Sequence, residues 1–433
     1  MSQTALITLL AILLFTGGFF GGGSPSKDDA GRVPPPATST TEAYGVIRAN
    51  TVAVHAAPKS REVIAHLVRG DQVTILGETD GWYRIRMANG QEGYVNTFAV
   101  ASGSTSIARP TSGKYQVVAY YVTDSRLPSL PSLRENLDVI TTVIPWMWQV
   151  TPLGLIEDFS VSDVAGALHL AGTHGIKSHA LIHNIGETQT GTVNFSGSMI
   201  HQVLADPTTR SRTIETIYRH LVNWGMNGVH VDFENVQPSD RQNLNQFLKE
   251  LYERMKPAGI EVSIAVPAKT QENYVNAFSG AYDYATISRY VDAMMIMAYD
   301  EHWRGGPPGP VASIGWVERV VRYAISAGVP PEKIILGVPA YGYDWPPNGR
   351  GRAVTYRQAI EQASQHGAKI QWDDTAKVPY YRYAGGREVW FEDRSSLSHK
   401  LEIVKKYGLA GISLWRLGQE DPGIWSVIRE QLR

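Results

Sequence analysis

The feature that most constrains the fold is a regular alternation of short apolar runs with amphipathic segments from residue 114 onward. An apolar run followed by a helix-like segment is typical of a βα unit in a parallel sheet. Eight such units can close into a barrel whose active site lies at the carboxyl ends of the strands. We therefore predict an α/β fold, a (β/α)8 TIM barrel over residues 114–433, with a doubly wound open sheet as the alternative. The eight runs are residues 116–121, 139–146, 178–183, 228–233, 261–266, 293–298, 334–338 and 411–415.

A further folded unit is expected between the seventh and eighth runs. Residues 350–392 contain one helix-like segment, residues 355–366, and three strand-like segments. This mixture predicts a small α+β insertion between strands 7 and 8. Because loops at the carboxyl ends of barrel strands surround the active site, the insertion would form one wall of a groove.

Residues 43–102 follow a different pattern, in which short β-rich runs are separated by turn signals such as Asp80-Gly81. This spacing predicts a small all-β barrel. The segments 80–85 and 90–95 resemble those of bacterial SH3 (SH3b) domains. The resemblance implies attachment to cell-wall peptide or glycan, and the alternative is a structural spacer without a ligand.

The N-terminal region is expected to export or anchor the folded part. Residues 5–20 form an apolar run with the length of a signal-peptide core, slightly short for a membrane-spanning helix. We interpret segment 1–23 as a signal peptide or an N-terminal membrane anchor, although no basic residue precedes Lys27. Residues 24–42 and 103–113 are rich in Ser, Thr, Pro and Gly, which predicts linkers. The expected location is extracellular, in the cell wall or anchored to the membrane and facing outward.

Charge and cysteine content exclude several classes of function. The formal net charge is -1, so no overall positive field would attract nucleic acid. The chain has no cysteine, which excludes disulfides, thiol nucleophiles and cysteine-based zinc sites. We find neither an H-E-x-x-H sequence nor a phosphate-binding glycine loop, and we predict no metal and no other cofactor.

Residues 227–234 carry the strongest chemical signal, the sequence Asn-Gly-Val-His-Val-Asp-Phe-Glu. Side chains two residues apart share one face of a strand, so His230, Asp232 and Glu234 would point to one side, with Glu234 at the carboxyl end. Two neighbouring carboxyl groups in apolar surroundings favour one protonated group near neutral pH, as a general acid requires. A surface strand with solvated acids is the alternative, which the apolar composition of this segment disfavours.

This segment resembles the DGxDxDxE signature of glycoside hydrolase family 18, the chitinase-like (β/α)8 barrels. Asp232 matches the last aspartate of the signature, and Glu234 matches its catalytic acid. Asn227, which precedes the matching Gly228, and His230 both stand where many members have aspartate. The branch of spore-germination and cortex-lytic enzymes resembles the segment more closely.

The resemblance extends to the ends of other predicted strands. Met297, Tyr299 and Asp300 match the M-x-Y-D segment of the family, in which the tyrosine holds the N-acetyl oxygen and the aspartate binds a sugar hydroxyl. Trp415 matches the tryptophan that floors the sugar subsite next to the cleaved bond. Further candidates for substrate binding at strand ends are Tyr120, Trp146, Asn184 and Tyr341.

The catalytic residues that the resemblance implies are Glu234, Asp232 and Tyr299. Asp232 and Glu234 lie too close together on one strand to flank a glycosidic bond from both sides. In the family, the N-acetyl oxygen of the substrate attacks the anomeric carbon instead, and an oxazolinium ion forms. Glu234 would protonate the leaving group and later activate water, with retention of configuration.

The sequence leaves three functions open. The favoured one is an exported glycosidase that cleaves β-1,4 bonds after N-acetylglucosamine in peptidoglycan or spore cortex. A chitinase or chito-oligosaccharide hydrolase would use the same catalytic residues. The third is a catalytically inactive glycan-binding barrel, although such a protein would have no use for the acid Glu234.

Overall fold

The computed structural model describes residues 43–102 and 113–433, apart from residues 125, 152, 155, 159–160 and 188–192. The predicted export or anchor segment 1–23, the linker 24–42 and nearly all of the second linker lie outside the described residues. Within the described part, no helix is both long enough and apolar enough to cross a bilayer.

The N-terminal unit is a sheet of seven short antiparallel strands. They are β1 (Ala43–Ile47), β2 (Thr51–His55), β3 (Val63–Val68), β4 (Gln72–Thr79), β5 (Trp82–Arg86), β6 (Glu92–Asn96) and β7 (Val100–Ser102). Their order in the sheet is β3-β2-β6-β5-β4-β1-β7. Val52, Val54, Ile85 and Val95 fill a small core of their own. The predicted all-β unit is confirmed.

The rest of the described chain contains a closed parallel barrel. Its strands and those that decorate it are β8 (Gln116–Tyr121), β9 (Thr142–Val150), β10 (Ile156–Asp158), β11 (Lys177–His183), β12 (Ile185–Glu187), β13 (Val193–Phe195), β14 (Gly228–Asp232), β15 (Glu261–Pro267), β16 (Ala293–Met297), β17 (Ile334–Pro339), β18 (Tyr341–Trp345), β19 (Arg352–Thr355), β20 (Gln371–Asp373), β21 (Val378–Tyr383), β22 (Arg387–Phe391) and β23 (Gly411–Trp415). The barrel order is β8-β9-β11-β14-β15-β16-β17-β23. Because β23 and β9 both pair with β8 in parallel, the sheet closes. This confirms the predicted barrel and excludes the open sheet.

Helices cover the outside of the barrel and bury one apolar face each. They are α1 (Leu130–Glu135), α2 (Val161–Thr173), α3 (Gly197–Ala205), α4 (Pro207–Trp224), α5 (Arg241–Met255), α6 (Tyr284–Ile287), α7 (Ile314–Ser326), α8 (Tyr356–Gln365), α9 (Arg394–Tyr407) and α10 (Ile424–Leu432). Local sequence sets the limits of α4: Asp206 accepts a hydrogen bond from the Thr209 amide, and Gly225 adopts a left-handed φ of 62°. The helix preceding β14 is thereby fixed at both ends.

The insertion between barrel strands β17 and β23 is a second small sheet. Strands β19-β18-β22-β21-β20 pair antiparallel in that order, and α8 packs on one face over Val354, Tyr381 and Phe391. Thr355 begins α8 through a reciprocal capping box with Gln358. Since β18 starts two residues after β17 ends, the insertion brings Tyr341 to the carboxyl end of the barrel. The predicted α+β insertion is confirmed.

The N-terminal unit docks on the end of the barrel where the strands begin. The ring of Phe98 stacks on Trp224 with centroids 5.9 Å apart and planes at 12°. Asn96 Nδ2 donates a hydrogen bond to the carbonyl oxygen of Asn223 at 3.1 Å. A Cβ built on Gly225 would lie 2.9 Å from that of Ala99, so the two units are in close contact. Trp224 is the last residue of α4 and precedes β14, which places the docked unit opposite the carboxyl ends of the barrel strands.

Substitution of Phe98 should destabilise the barrel as well as the small unit. Phe98 is 6% exposed and belongs to the barrel's main apolar cluster, so Phe98→Ala should lower the free energy of unfolding by about 3 kcal/mol or more. Tyr44→Ala is the control, because Tyr44 is 71% exposed in the same unit. Equilibrium unfolding in urea measures both. Equal stabilities of the two variants would contradict a tightly packed interface.

Candidate active site

Strand β14 divides its side chains between the barrel interior and the surrounding helices. Val229 and Val231 join the apolar cluster between sheet and helices, whereas His230 and Asp232 alternate with them and are also buried. Glu234 lies two residues beyond the end of the strand and is 3% exposed. His230, Asp232 and Glu234 therefore succeed one another toward the carboxyl end of β14, as predicted.

The backbone of Glu234 is held from both sides by Asn184, which follows β11. The amide of Glu234 donates to Asn184 Oδ1 at 2.9 Å, and Asn184 Nδ2 donates to the Glu234 carbonyl at 2.8 Å. The hydroxyl of Tyr282 donates to the preceding carbonyl of Phe233 at 2.6 Å. Asn184 is fully buried and uses both ends of its amide on backbone groups. The structure thus places Asn184 against the backbone of the acid and outside the pocket lining.

A pocket at the carboxyl end of the barrel joins residues that are far apart in the sequence. It contains the three predicted catalytic residues and all but two of the predicted substrate-binding residues. Its lining consists of Tyr120, Asp232, Glu234, Ala265, Met297, Tyr299, Asp300, Tyr341 and Trp415. The two predicted residues outside the lining are Asn184 and Trp146. In the described residues, no group of three or more His, Asp or Glu side chains is arranged to hold a metal ion.

The buried carboxyl groups of Asp232 and Glu234 share this pocket with the half-buried Asp300. Burial raises the pKa of Glu234 well above its usual range, and the neighbouring carboxyl groups of Asp232 and Asp300 raise it further. Burial also raises the pKa of Asp232. No cation forms an ion pair with Asp232 or Glu234 within the described part of the chain. Burial and both carboxyl neighbours therefore favour the protonated form of Glu234.

Asp300 is oriented by two tyrosines from the insertion. The hydroxyls of Tyr341 and Tyr343 donate to Asp300 Oδ1 at 2.6 and 3.0 Å. Burial raises the pKa of Asp300 to about 6, while the two hydroxyl donors favour its charged form. Asp300 has a φ of 61°, in the left-handed region, as β16 ends. The residue is therefore held as an acceptor whose second oxygen remains for a ligand.

Below the acids, His230 lies in a hydrogen-bonded chain through the barrel interior. Ser263 Oγ donates to the Val229 carbonyl at 3.3 Å, so it accepts from His230 Nδ1 at 3.0 Å. The Nε2 atom of His230 must then accept from the Tyr120 hydroxyl, which lies 2.9 Å away. Burial lowers the pKa of His230 to about 3, which keeps the ring neutral. The phenolic proton of Tyr120 thus points to His230 rather than to Asp232.

Aromatic rings form the floor and side of the pocket. Trp415 is 8% exposed, and its ring centroid lies 5.2 Å from that of Tyr120. Trp146 packs behind it, 5.8 Å from Trp415 and 4.8 Å from His183. The peptide bond between Trp415 and Arg416 is cis. Trp146 consequently supports the tryptophan that lines the pocket.

The two other residues of the signature segment lie at the beginning of β14. Asn227 Oδ1 accepts a hydrogen bond from the Ser178 amide at 2.9 Å, and the Asn227 carbonyl accepts from Glu261. A Cβ on Gly228 would lie 2.7 Å from the ring of His179. Both residues therefore join neighbouring strands at the end of the barrel away from the pocket.

Sequence reasoning missed Ser263 and Ala265, which β15 contributes to the barrel interior. One supports His230 and the other lines the pocket. Their spacing of two residues, with small side chains in an otherwise apolar run, is the signal that could have identified them.

Comparison with known proteins supplies the identification. Residues 182–420 match the glycosyl hydrolases of family 18, and residues 50–99 match the bacterial SH3 domain. The fold and the pocket define a (β/α)8 barrel with acidic groups at the carboxyl end of its fourth strand. The chain belongs to glycosyl hydrolase family 18, because the match covers more than half of its length.

Several of the similar proteins come from Bacillus species. Bacillus subtilis YdhD, which carries the name of a sporulation-specific glycosylase, is 42% identical over 240 residues, 53% of this chain and 56% of the relative. The cortical fragment-lytic enzyme of Bacillus subtilis is 37% identical over 246 residues, 55% of this chain and 57% of the relative. The crystal structure of the Bacillus cereus spore cortex-lytic enzyme SleL aligns with a TM-score of 0.67 and 29% identity, over 79% of this chain and 78% of that one. The alignments span little more than half the length of the two curated relatives.

Removal of the buried acid should stabilise the protein increasingly as the pH rises. The folded state keeps the proton of Glu234 more firmly than the unfolded chain does, so ionisation above the ordinary glutamate pKa of about 4.3 costs stability. In Glu234→Gln this cost is absent. The variant should match the parent in melting temperature at low pH and exceed it near and above neutral pH.

The control for this measurement is Glu430→Gln, since Glu430 is exposed on the last helix. Thermal unfolding at a series of pH values compares the three proteins. A melting difference that does not grow with pH would show that Glu234 ionises as freely in the folded protein as in the unfolded chain.

Replacement of His230 should move the pH dependence of any activity at this site. His230→Asp adds a carboxyl group beside Asp232, which raises the pKa values of the acid pair and shifts the pH–rate profile upward by about one unit. His230→Asn is the matched control, because it removes the ring without adding a charge. Coinciding profiles for His230→Asp and the parent would disprove the influence of this position on the acids.

Proposed function

We propose that the protein hydrolyses β-1,4 glycosidic bonds after N-acetylglucosamine, with retention of configuration and participation of the substrate. The observation that carries this proposal is the pocket in which Glu234, whose pKa is raised by burial, lies with Asp232, Tyr299 and Trp415. Asp232 and Glu234 both belong to the end of one strand, so they approach a bound sugar from one side. A nucleophile supplied by the N-acetyl group of the sugar fits this arrangement.

Each residue then has a chemical task. Trp415 stacks against the apolar face of the sugar, and Asp300 accepts a hydrogen bond from one of its hydroxyls. Asp232 holds the amide nitrogen while Tyr299 donates to the amide oxygen, which turns that oxygen toward the anomeric carbon. Glu234 gives its proton to the glycosidic oxygen as the C–O bond breaks and the oxazolinium ring forms. The ionised Glu234 then accepts a proton from water, which attacks the anomeric carbon from the face that the leaving group left. The C–O bond of the oxazolinium ring breaks, and the configuration is retained.

The polymer that we propose is peptidoglycan or spore cortex. Two of the similar proteins are named for lysis of cortex or cortical fragments. The chain also matches the bacterial SH3 domain, and domains of this type are associated with cell walls. Export through residues 1–23, as a cleaved signal or an outward-facing anchor, belongs to the same proposal, because the polymer lies outside the cytoplasm. Chitin, a polymer of the same sugar, is the principal competitor.

Parallel digestion of purified peptidoglycan, spore cortex and chitin tests this proposal. Mass spectrometry should detect muropeptides that end in reducing N-acetylglucosamine, and Glu234→Gln should release them roughly 10² to 10⁴ times more slowly. Release from chitin alone would make the protein a chitinase. Binding of glycan without release by either protein would favour an inactive glycan-binding barrel.

Substrate participation can be tested at the tyrosine. Tyr299→Phe removes the donor to the amide oxygen and should lower kcat roughly 10²-fold on N-acetylated glycan. Tyr407→Phe is the control, because its hydroxyl contacts Glu318 on the outside of the barrel. Deacetylated glycan should resist cleavage by all three proteins. Cleavage of deacetylated glycan at an undiminished rate would contradict the participation of the substrate.

A further inference from the structure

A cleft separates the docked SH3-like unit from helices α2 and α4 of the barrel. Its volume is about 1480 Å³. One wall comes from β2, β3, β5 and the turns beside them, and the other from the two helices. Neither unit alone contains both walls, so the cleft exists only in the docked arrangement.

Contacts deep in the interface fix the two walls relative to each other. The stack of Phe98 on Trp224 and the hydrogen bond from Asn96 to Asn223 lie at the base of the cleft, and three of these four residues line it. Arg48 of the small unit adds close packing, since a Cβ on Gly172 of α2 would lie 3.0 Å from its guanidinium. The cleft is therefore built by the fold rather than left between loosely tethered domains.

Two cationic groups, one on each wall, have no carboxylate partner. Arg61 forms no ion pair among the described residues, and Arg219 bonds only to Glu215 O and Thr216 Oγ1 of its own helix. Lys59, by contrast, faces Asp80 at 3.8 Å. A guanidinium group without a carboxylate partner can bind the carboxylate of a ligand through two parallel hydrogen bonds.

Other side chains of the cleft suit a peptide with an apolar part. Trp82, Tyr218 and Trp224 contribute aromatic surface from both walls. His169 Nδ1 is buried on the α2 wall and lacks a hydrogen-bond partner in the described residues. A buried polar atom without a partner is costly unless a ligand or water satisfies it. The cleft thus combines aromatic side chains, an unsatisfied polar atom and two separated cations with the carboxylates of Glu78 and Asp80.

We propose that this cleft binds an acidic peptide carrying at least two carboxylates, one for Arg61 and one for Arg219. Its chemistry matches the carboxylate-bearing stem peptides of peptidoglycan, an assignment that rests on the proposed function. The cleft lies at the end of the barrel opposite the catalytic pocket, so the peptide and the sugar undergoing cleavage bind at separate places. The protein would hold the wall polymer at two points at once, which raises the local concentration of glycan at the pocket.

Calorimetric titration of the full chain with synthetic L-Ala-γ-D-Glu-meso-diaminopimelate tests the proposal. Arg61→Gln and Arg219→Gln should each weaken binding about tenfold or more, and higher salt should weaken it too. Arg319→Gln, an exposed arginine on α7, should leave binding unchanged. The same peptide with its carboxylates amidated should not bind.

Several results would overturn the proposal. They are the absence of peptide binding, equal binding of the amidated peptide, and equal binding by either cleft variant and the parent. Competition by neutral chitotetraose for the cleft would instead make it a glycan site. Hydrolysis of a soluble N-acetylglucosamine oligomer is measured on the same proteins. Hydrolysis without peptide binding would refute the cleft alone, whereas peptide binding without hydrolysis would refute the proposed function alone.

Discussion

The burial of ionisable carboxyl groups at one end of the barrel is the constraint on which the rest of the structure depends. Removal of a carboxyl group from water favours its neutral form, and the closeness of Asp232 and Asp300 to Glu234 strengthens that preference. Burial of these carboxyl groups lowers the stability of the fold. A large apolar core between sheet and helices, which includes Val229 and Val231 of the same strand, offsets this loss. One strand therefore supplies stability on one face and acid chemistry on the other.

The two ends of the barrel make different contacts. At the carboxyl end, Asn184 fixes the backbone of the acid and the insertion orients Asp300 through two tyrosine hydroxyls. At the opposite end, the SH3-like unit covers the beginnings of several strands through Phe98 and its neighbours. No residue of that unit lines the pocket at the carboxyl end.

Periodic patterns made most of the fold predictable. All eight barrel strands overlap the predicted apolar runs, although the second strand spans Thr142–Val150 where residues 139–146 were predicted. Strands buried on both faces are largely apolar, which makes them visible in the sequence. Asp232, Glu234, Tyr299 and Trp415 could be identified from the sequence because the barrel brings strand ends together. Hydrogen-bond partners that depend on three-dimensional packing could not be identified from the sequence. Examples are the bonds from Asn184 to the backbone of Glu234 and the chain from Ser263 through His230 to Tyr120. The sequence around Phe98 did not indicate that it packs on Trp224, since the sequence pattern of an aromatic residue is the same in a small core and in an interface.

The protonation state of Glu234 is the most direct test of this account. Carbon-13 NMR of protein labelled at the glutamate side-chain carboxyl, with Glu234→Gln used to assign the signal, follows its titration. The account predicts a protonated carboxyl group near neutral pH, and a pKa that falls when Asp232→Asn removes the neighbouring charge. A signal that titrates at the ordinary glutamate pKa of about 4.3 in both proteins would contradict the central claim.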